Sequence, residues 1–207
     1  GANLSSSHVG SMGGLMALKN GEAHIAPIHQ LDEVTGRYNI PIIKKLFAGQ
    51  KMALIKGVGR VQGLIVKTGN PLNIRGLADL AKCRYINRQR GAGTRILLDY
   101  KLNQEGIEPE TINGYDREAA THMAVAAAIA GGSADCGLGI QAVAVAMGLD
   151  FIPIDKEEYD FAIPQEFLKL NHVQTFIETL KSPDLCAKLA ELGGYDTSRL
   201  GDIEMID

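Results

Sequence analysis

The sequence predicts an α/β protein made of two α/β lobes joined by two crossing strands. Short apolar runs of β-type composition alternate with helical runs along the 207 residues. No low-complexity linker interrupts this alternation, so we expect the lobes to share one chain that crosses between them twice. The 24 glycines, the 5% content of aromatic residues and the absence of tryptophan favour many tight strand-to-helix turns.

The elements expected up to residue 69 are short and end at glycines or polar turns. They are a strand at 4–9, a helix at 15–20, a buried strand at 23–29, a loop at 32–39, a run at 40–47 that fits helix or strand, and two strands at 52–59 and 61–69. Gly21 follows the helix at a position where glycine commonly caps it. A glycine-containing turn is expected between the last two strands.

The rest of the chain predicts longer helices between short strands. The helices are expected at 73–83, 94–105, 118–130, 141–148, 172–180 and 184–192, and the strands at 84–88, 135–140 and 150–154. The clearest pattern is that of 94–105, where apolar residues at 97, 98 and 102 share one helical face. Gly106 ends this run.

Charge and cysteine content exclude several classes of protein. The formal net charge is −3, whereas nucleic-acid-binding domains usually carry a basic excess, so no direct contact with nucleic acid is expected. No run approaches the roughly 20 apolar residues of a membrane span and no signal peptide is recognised, which predicts a soluble cytoplasmic protein without membrane contact. The widely spaced Cys83, Cys136 and Cys186 predict reduced thiols rather than disulfides or a zinc site.

Two glycine-rich segments are candidate anion sites, because each leads into a predicted helix. Residues 10–14 read GSMGG, and residues 87–95 read NRQRGAGTR. Glycine lets a ligand approach the backbone, and the first N–H groups of a helix attract anions. In the second segment Thr94 adds a hydroxyl and three arginines add guanidinium donors. The alternatives are a plain tight turn at 10–14 and surface ion pairs for the arginines.

Residues with catalytic potential are few. His122 lies in the helix expected at 118–130, where a structural role competes with a role in a site. Cys136 follows Asp135 at a strand end, and we expect a buried structural thiol because no neighbouring base is evident. The sequence contains no hydrolase triad, HExxH motif or paired carboxylates. It therefore predicts no catalytic residue, metal or cofactor, with catalysis in this domain left open.

Four segments together resemble a known family. They are GSMGGLMALKNGEAHIAPIHQLDEVTGRYN (10–39), NRQRGAGTR (87–95), GYDREAATHMAVAAAIAGGSADCGLGI (114–140) and GLDFIPIDKEEYDFAI (148–163). They are similar to the periplasmic-binding-protein-like domain attached to MoeA-type molybdopterin-biosynthesis proteins, a domain that also occurs with helix-turn-helix segments. The resemblance extends to the substrate-binding domains of LysR-type regulators and implies a type 2 periplasmic-binding-protein fold.

The resemblance also implies domain boundaries. Lobe I would comprise 1–67 plus 151–207 and lobe II would comprise 68–150, with the crossing strands at 63–69 and 150–160. Members of the family usually begin with a strand and a helix before the first segment, so lobe I is expected to lack both. The chain is therefore expected to be a fragment of a longer protein.

In that fold the ligand lies between the lobes at helix N-termini. The implied ligand residues are Ser11, Met12 and Gly13 on one side, Arg90, Gly93 and Thr94 on the other, and Tyr115, His122 and Asp135 as further candidates. One departure from the family is Ala92, which stands where the pattern usually has serine. This difference removes one possible hydroxyl ligand.

The leading hypothesis is a non-catalytic domain that binds an oxyanion such as molybdate or tungstate, in molybdopterin cofactor biosynthesis or its regulation. One alternative is the effector-sensing domain of a transcription regulator. Another is an enzyme that acts on a molybdopterin intermediate through Cys136 or His122. The expected partners are the small anionic ligand and an attached molybdopterin-biosynthesis or helix-turn-helix domain, and a homodimer is also considered.

Overall fold

The computed structural model describes residues 5–6 and 10–206, which contain seven α-helices and ten β-strands. The helices are α1 Gly10–Lys19, α2 Ile40–Leu46, α3 Gly93–Glu105, α4 His122–Ala130, α5 Gln141–Ala146, α6 Asn171–Leu180 and α7 Pro183–Leu192. The strands are β1 Ala26–Ile28, β2 Leu31–Asp32, β3 Arg37–Tyr38, β4 Met52–Val66, β5 Asn87–Arg88, β6 Glu118–Ala119, β7 Cys136–Ile140, β8 Asp150–Pro164, β9 Tyr195–Asp196 and β10 Ile203–Ile206. Short 3-10 helices span Leu77–Lys82, Pro109–Thr111 and Gln165–Lys169.

The chain forms two compact units. Unit 1 contains the described residues up to Gly59 and those from Glu157 onward, and unit 2 is the continuous segment Arg60–Lys156. The long strands β4 and β8 carry the chain from one unit to the other. The boundaries expected from the sequence, 67/68 and 150/151, fall at the unit 2 ends of the same two strands.

The sheet of unit 1 has the strand order β1-β8-β4-β10. Strand β1 is antiparallel to β8, with Ala26 opposite Ala162. Strand β10 is antiparallel to β4, with Ile203 opposite Ile55 and Ile206 opposite Met52. The last strand of the chain therefore completes a sheet that begins near the N-terminus.

Both faces of this sheet are covered, which explains why β4 reads as a continuous apolar run. Alternate side chains of a strand point to opposite faces. Met52 and Leu54 pack with residues of α1 and α2, whereas Ala53 and Ile55 pack with residues of α6 and α7. Each fully buried leucine or isoleucine contributes about 1.5–3 kcal/mol relative to exposure.

Unit 2 has its own sheet and core. The second half of β4 is antiparallel to β7, with Leu64 opposite Leu138. Tyr85 bridges Cys136 in parallel, and β5 pairs with β6 in parallel, so residues 85–88 lie between β7 and β6. The buried side chains of α4 pack on this sheet in one cluster, together with Ile65 and Ile86.

The α/β fold class expected from the sequence is confirmed, and several elements lie where expected. Helix α3 matches the prediction at 94–105 to within one residue, and it ends at Gly106, which has a φ of 66° and closes the helix in the left-handed conformation. The run at 40–47 is helical. Of the strand expected at 4–9, residues 4 and 7–9 lie outside the described residues, and Ser5 and Ser6 are in neither helix nor strand.

Several expectations about individual elements were wrong. The helix expected at 73–83 is the short 3-10 helix Leu77–Lys82, and the loop expected at 32–39 contains β3. Residues 10–14 are not a turn before a helix but the first turns of α1 itself. The helix expected from 118 begins at His122, because residues 118–119 pair with β5. The two strands expected at 52–59 and 61–69 are the single strand β4.

Candidate functional site

Three parallel segments of unit 2 end at the same edge of its sheet. They are β7, residues 85–88 and β6, and each is followed by a helix. In open α/β sheets, ligands bind outside the carboxyl ends of the strands. We call residues 89–94 and 120–123, which follow two of these strands, the carboxyl edge.

The N-terminus of α3 presents unused donors at the carboxyl edge. Gly91 has a φ of 85°, a left-handed conformation that favours glycine, and Ala92 caps the helix without a side-chain hydrogen bond. The N–H of Arg95 already bonds to the carbonyl of Ala92 at 2.9 Å. The preceding N–H groups, those of Gly93 and Thr94, have no carbonyl four residues back within the helix, so they are available to an anion.

The side chain of Thr94 also favours an anion site at the N-terminus of α3. The residue is 4% exposed, and its hydroxyl makes no hydrogen bond to any residue that the structure describes. The hydroxyl oxygen is not among the buried side-chain atoms that lack a partner, so it reaches solvent and is accessible to a ligand. The hydroxyl lies in the first turn of α3, where the free N–H groups are.

Helix α4 begins at the same edge and is capped by its own chain. The hydroxyl of Thr121 accepts a hydrogen bond from the N–H of Ala124 at 3.0 Å. His122 is half-buried and packs near Gly139 of β7, where a methyl group built on the glycine would come within 3.6 Å of its Nδ1. Met123 is 47% exposed. The 3.6 Å distance to His122 is an ordinary contact, whereas the same methyl group would lie only 2.7 Å from Cδ1 of Ile65, so the glycine makes room for Ile65 rather than for His122.

The arginines in and next to the carboxyl edge are largely engaged by the protein. The guanidinium of Arg88 donates to the carbonyl of Ala120 at 3.1 Å. Arg95 is 4% exposed, donates to Asp99 at 3.1 Å and lies 4.0 Å from the centre of the Tyr115 ring. Arg90 is the most open, with its side chain 80% exposed.

Arg90 has two loose ion pairs. Its guanidinium lies 3.6 Å from Asp116 and 3.9 Å from Glu118. Exposed pairs at such distances hold a side chain only weakly, so Arg90 is free to turn toward a ligand.

Tyr115 and Asp135, two further candidates from the sequence, are bonded within unit 2. The hydroxyl of Tyr115 donates to Asp99 at 2.7 Å, and burial together with this bond raises the pKa of Tyr115. Asp135 accepts from the Arg84 guanidinium at 2.6 and 3.0 Å and from its N–H at 2.9 Å. These hydrogen bonds from Arg84 hold the pKa of Asp135 below its usual value.

The structure places Asp135 away from the other candidates of unit 2. It precedes β7, whereas His122 packs at Gly139 near the other end of that strand. Four residues of strand span about 13 Å. The carboxyl edge therefore brings together Arg90, Gly93, Thr94 and His122, but not Asp135.

The three candidates of unit 1 lie in the first turn of α1. Ser11 accepts a hydrogen bond from the N–H of His29 at 3.2 Å, which fixes its oxygen and leaves its own O–H to donate elsewhere. Met12 is 45% exposed, and Gly13 is half-buried. Gly10 begins the helix with a φ of 70°.

Sequence reasoning missed a buried polar cluster in unit 1. Lys56 Nζ donates to Glu158 at 2.6 Å and to Asp160 at 2.7 Å, and Asn39 donates to Asp160 at 2.9 Å. The N–H of Gly57 also donates to Asp160, at 3.1 Å. The signal was a single lysine inside the apolar run of β4, because a lysine buried on a two-sided strand must find carboxylate partners.

Two further observations concern catalysis and metals. Cys136 is fully buried, and this burial raises the pKa of its thiol well above the usual value, which argues against a nucleophile. Within the described residues, no group of three or more His, Cys, Asp or Glu side chains could hold a metal ion.

No helix among the described residues is long and apolar enough to cross a membrane.

Comparison with known proteins gives a family and a fold. Residues 1–181 match the family described as "PBP superfamily domain". The chain is 38% identical over 196 residues to "Uncharacterized protein YvgK" of Bacillus subtilis, covering 94% of this chain and 63% of that protein. It thus spans less than two thirds of the length of this relative.

Solved structures share the fold at low identity. The regulatory domain of Synechocystis CcmR in complex with 2-PG has a TM-score of 0.58 at 16% identity, covering 80% of this chain and 75% of that one. A putative phosphate ABC transporter substrate-binding protein from Clostridium perfringens, with bound phosphate, has a TM-score of 0.62 at 12% identity, covering 89% and 83%. These structures therefore have the architecture described above.

Proposed function

Because the chain belongs to the PBP superfamily domain family, we propose that it binds a small anion without changing it chemically. The observation that carries the proposal is the unpaired but accessible hydroxyl of the otherwise buried Thr94 in the first turn of α3, beside N–H groups that the helix cannot use. Backbone donors and a hydroxyl suit an anion that must be released again, because they bind it without a covalent bond or a metal.

The proposed ligand residues are those expected from the sequence. We rank them by the contacts that their polar atoms already make within the protein. Gly93 and Thr94 come first, and Arg90 and His122 share their edge. Ser11, Met12 and Gly13 of unit 1 are proposed as a second group of contacts. Tyr115 and Asp135 come last, because Asp99 and Arg84 already occupy their polar atoms.

A more specific form of the proposal names the anion and the process in which the protein acts. The resemblance noted in the sequence favours molybdate or tungstate and a role in molybdopterin cofactor biosynthesis or its regulation. The two similar structures described above contain 2-PG and phosphate. Inorganic oxyanions and organic acids therefore both belong in the first binding panel.

Isothermal titration of the protein with molybdate, tungstate, sulfate, phosphate and simple carboxylates tests the proposal. Thr94→Val removes the hydroxyl while keeping the shape of the side chain, and we expect the affinity to fall about 10- to 150-fold, because a hydrogen bond to a charged group contributes about 1.5–3 kcal/mol. Thr175→Val, on α6 of unit 1, is the matched control and should leave the affinity unchanged. Equal affinities of Thr94→Val and the unaltered protein would remove the α3 site.

A second candidate function is the effector-sensing domain of a regulator. The CcmR regulatory domain shares the fold, and the YvgK relative is longer than the match, which leaves room for an attached domain. The residues that flank this chain in its gene discriminate between a DNA-binding helix-turn-helix and a molybdopterin-biosynthesis domain.

A homodimer is proposed as well, and light scattering of the purified protein tests whether it forms.

A further inference from the structure

We infer that the anion bound at the carboxyl edge is an organic monocarboxylate with an apolar body, rather than an inorganic dianion. This inference rests on the proposed function and narrows the ligand class. It depends on three features of the edge: its balance of charge, the number of its free donors and the exposed side chain of Met123.

The charges at the carboxyl edge are balanced within the protein. Arg90 lies within 4 Å of Asp116 and Glu118, and Arg95 lies within 4 Å of Asp99 and Glu118. Arg88, whose guanidinium donates to the carbonyl of Ala120, adds a third cation, so three arginines stand against three carboxylates in the count of charges here. A dianion such as phosphate or molybdate would add two negative charges to this balanced set, whereas a carboxylate adds one, so the edge favours the monoanion.

The free donors at α3 match a carboxylate in number. They are the N–H groups of Gly93 and Thr94 and the hydroxyl of Thr94. A carboxylate has two oxygens, which these three donors can satisfy. A tetrahedral dianion has four oxygens, more than these three donors can satisfy, so it would have to draw Arg90 away from Asp116 and Glu118 to replace its hydration.

Met123 provides the apolar contact. It is the second residue of α4, and helical side chains lean toward the N-terminus, so its thioether covers the start of that helix. Its side chain is 47% exposed where Thr121 already caps the helix. A flexible thioether adapts to apolar groups of varied shape, whereas it offers nothing to a bare oxyanion. In unit 1, Met12 has the comparable place in the first turn of α1 and is 45% exposed.

Titration with a graded series tests the inference. We expect affinity to rise about two- to fourfold for each methylene from acetate through butyrate to hexanoate, because each buried methylene adds to the hydrophobic term. Phosphate and molybdate should bind more weakly than hexanoate. A tighter fit of either dianion than of every carboxylate, or a flat carboxylate series, would overturn the inference.

The variant Met123→Ser tests whether Met123 contacts the apolar part of the ligand. It should reduce the gain in affinity from acetate to hexanoate at least threefold. Leu72→Ser is the control, since Leu72 is similarly exposed at 44% in unit 2 but follows β4 near Asp135, away from the carboxyl edge. An unchanged gain in Met123→Ser contradicts the assigned contact.

Different results would contradict the proposed function, which is anion binding, and the inferred ligand class, which is a monocarboxylate. If molybdate or phosphate binds in a Thr94-dependent manner and no carboxylate does, the anion site is real and the inferred ligand class is wrong. If no anion of the panel binds, the proposed function itself is wrong. If an anion binds but its affinity is the same for Thr94→Val and the unaltered protein, the α3 site is wrong, and the inferred ligand class fails with it.

Discussion

Single residues show how this chain satisfies polar groups away from water. Lys56 and Asp160 have side chains only 7% and 2% exposed, and each has charged or hydrogen-bonding partners. Burial alone would lower the pKa of Lys56, but the hydrogen bonds with Asp160 and Glu158 outweigh it and raise the pKa. The cluster thereby ties β4 to β8 within unit 1. Thr94 is the contrasting case, since its hydroxyl has no such partner among the described residues.

The ion pair of Asp135 with Arg84 makes the stability of the protein depend on pH. The pKa of Asp135 is lowered in the folded state, so its contribution is present above the unfolded value of 3.8 and is lost as pH falls through the folded pKa. We expect Asp135→Asn to reduce the free energy of unfolding by about 1 kcal/mol at pH 7, since the pair is partly exposed. Urea denaturation at pH 7 and near pH 3 checks this, and the difference from the unaltered protein should shrink at the lower pH.

The control for this experiment is Asp116→Asn. The side chain of Asp116 is 83% exposed and its nearest cation lies 3.6 Å away. This substitution should change stability by less than about 0.5 kcal/mol at either pH. A loss in Asp135→Asn that is as large near pH 3 as at pH 7 would argue against the ionic origin.

Among the elements, β4 best shows what the sequence could and could not predict. Its apolar run predicts a strand, but Gly57 and Gly59 suggest a turn where the structure has none. Gly57 is required for a different reason: a side chain there would collide with the carbonyl of Tyr159 in β8, which lies close against it. Close approach between segments distant in sequence cannot be read from local composition.

Substitution of Gly57 tests this explanation. Gly57→Ala places a methyl group against backbone that cannot move aside, so we expect a loss of at least about 3 kcal/mol in the free energy of unfolding. Gly76→Ala is the matched control, because its φ of −176° is extended and no atom lies within 4 Å of the added methyl group. Comparable losses in both variants would contradict the role of close strand approach.

The helices were predicted unevenly, for physical reasons. The apolar face of α3 and Gly106 mark that helix clearly in the sequence. The start of α4 was expected too early, because residues 118–119 have helical propensity but pair with β5. The glycines of 87–95 predict the start of α3, whereas those of 10–14 suggest a turn and lie within α1. The internal partners of Arg88 and Arg95 depend on tertiary contacts. Thus the backbone donors were predictable and the pairing of the cations was not.

At the scale of the whole molecule, ligand binding should stabilise the fold. A ligand that binds only the folded state adds about 2.7 kcal/mol when its concentration is 100 times Kd. For a chain of 207 residues, this corresponds to a rise in Tm of roughly 5–10 °C. Thermal denaturation followed by circular dichroism, with hexanoate at increasing concentration, measures the shift. No rise at saturating ligand would contradict specific binding to the native state.

The insertion of unit 2 within unit 1 has a consequence for biosynthesis. Unit 2 is one continuous segment, Arg60–Lys156, whereas unit 1 needs both the residues before it and those after it. Strand β10 pairs with the first residues of β4, which the ribosome makes about 150 residues earlier. During translation, unit 2 can therefore fold first, while the edge of β4 that pairs with β10 stays unpaired until β10 has been made. A chaperone that binds the unpaired edge of β4 would therefore act on the nascent chain rather than on the folded protein.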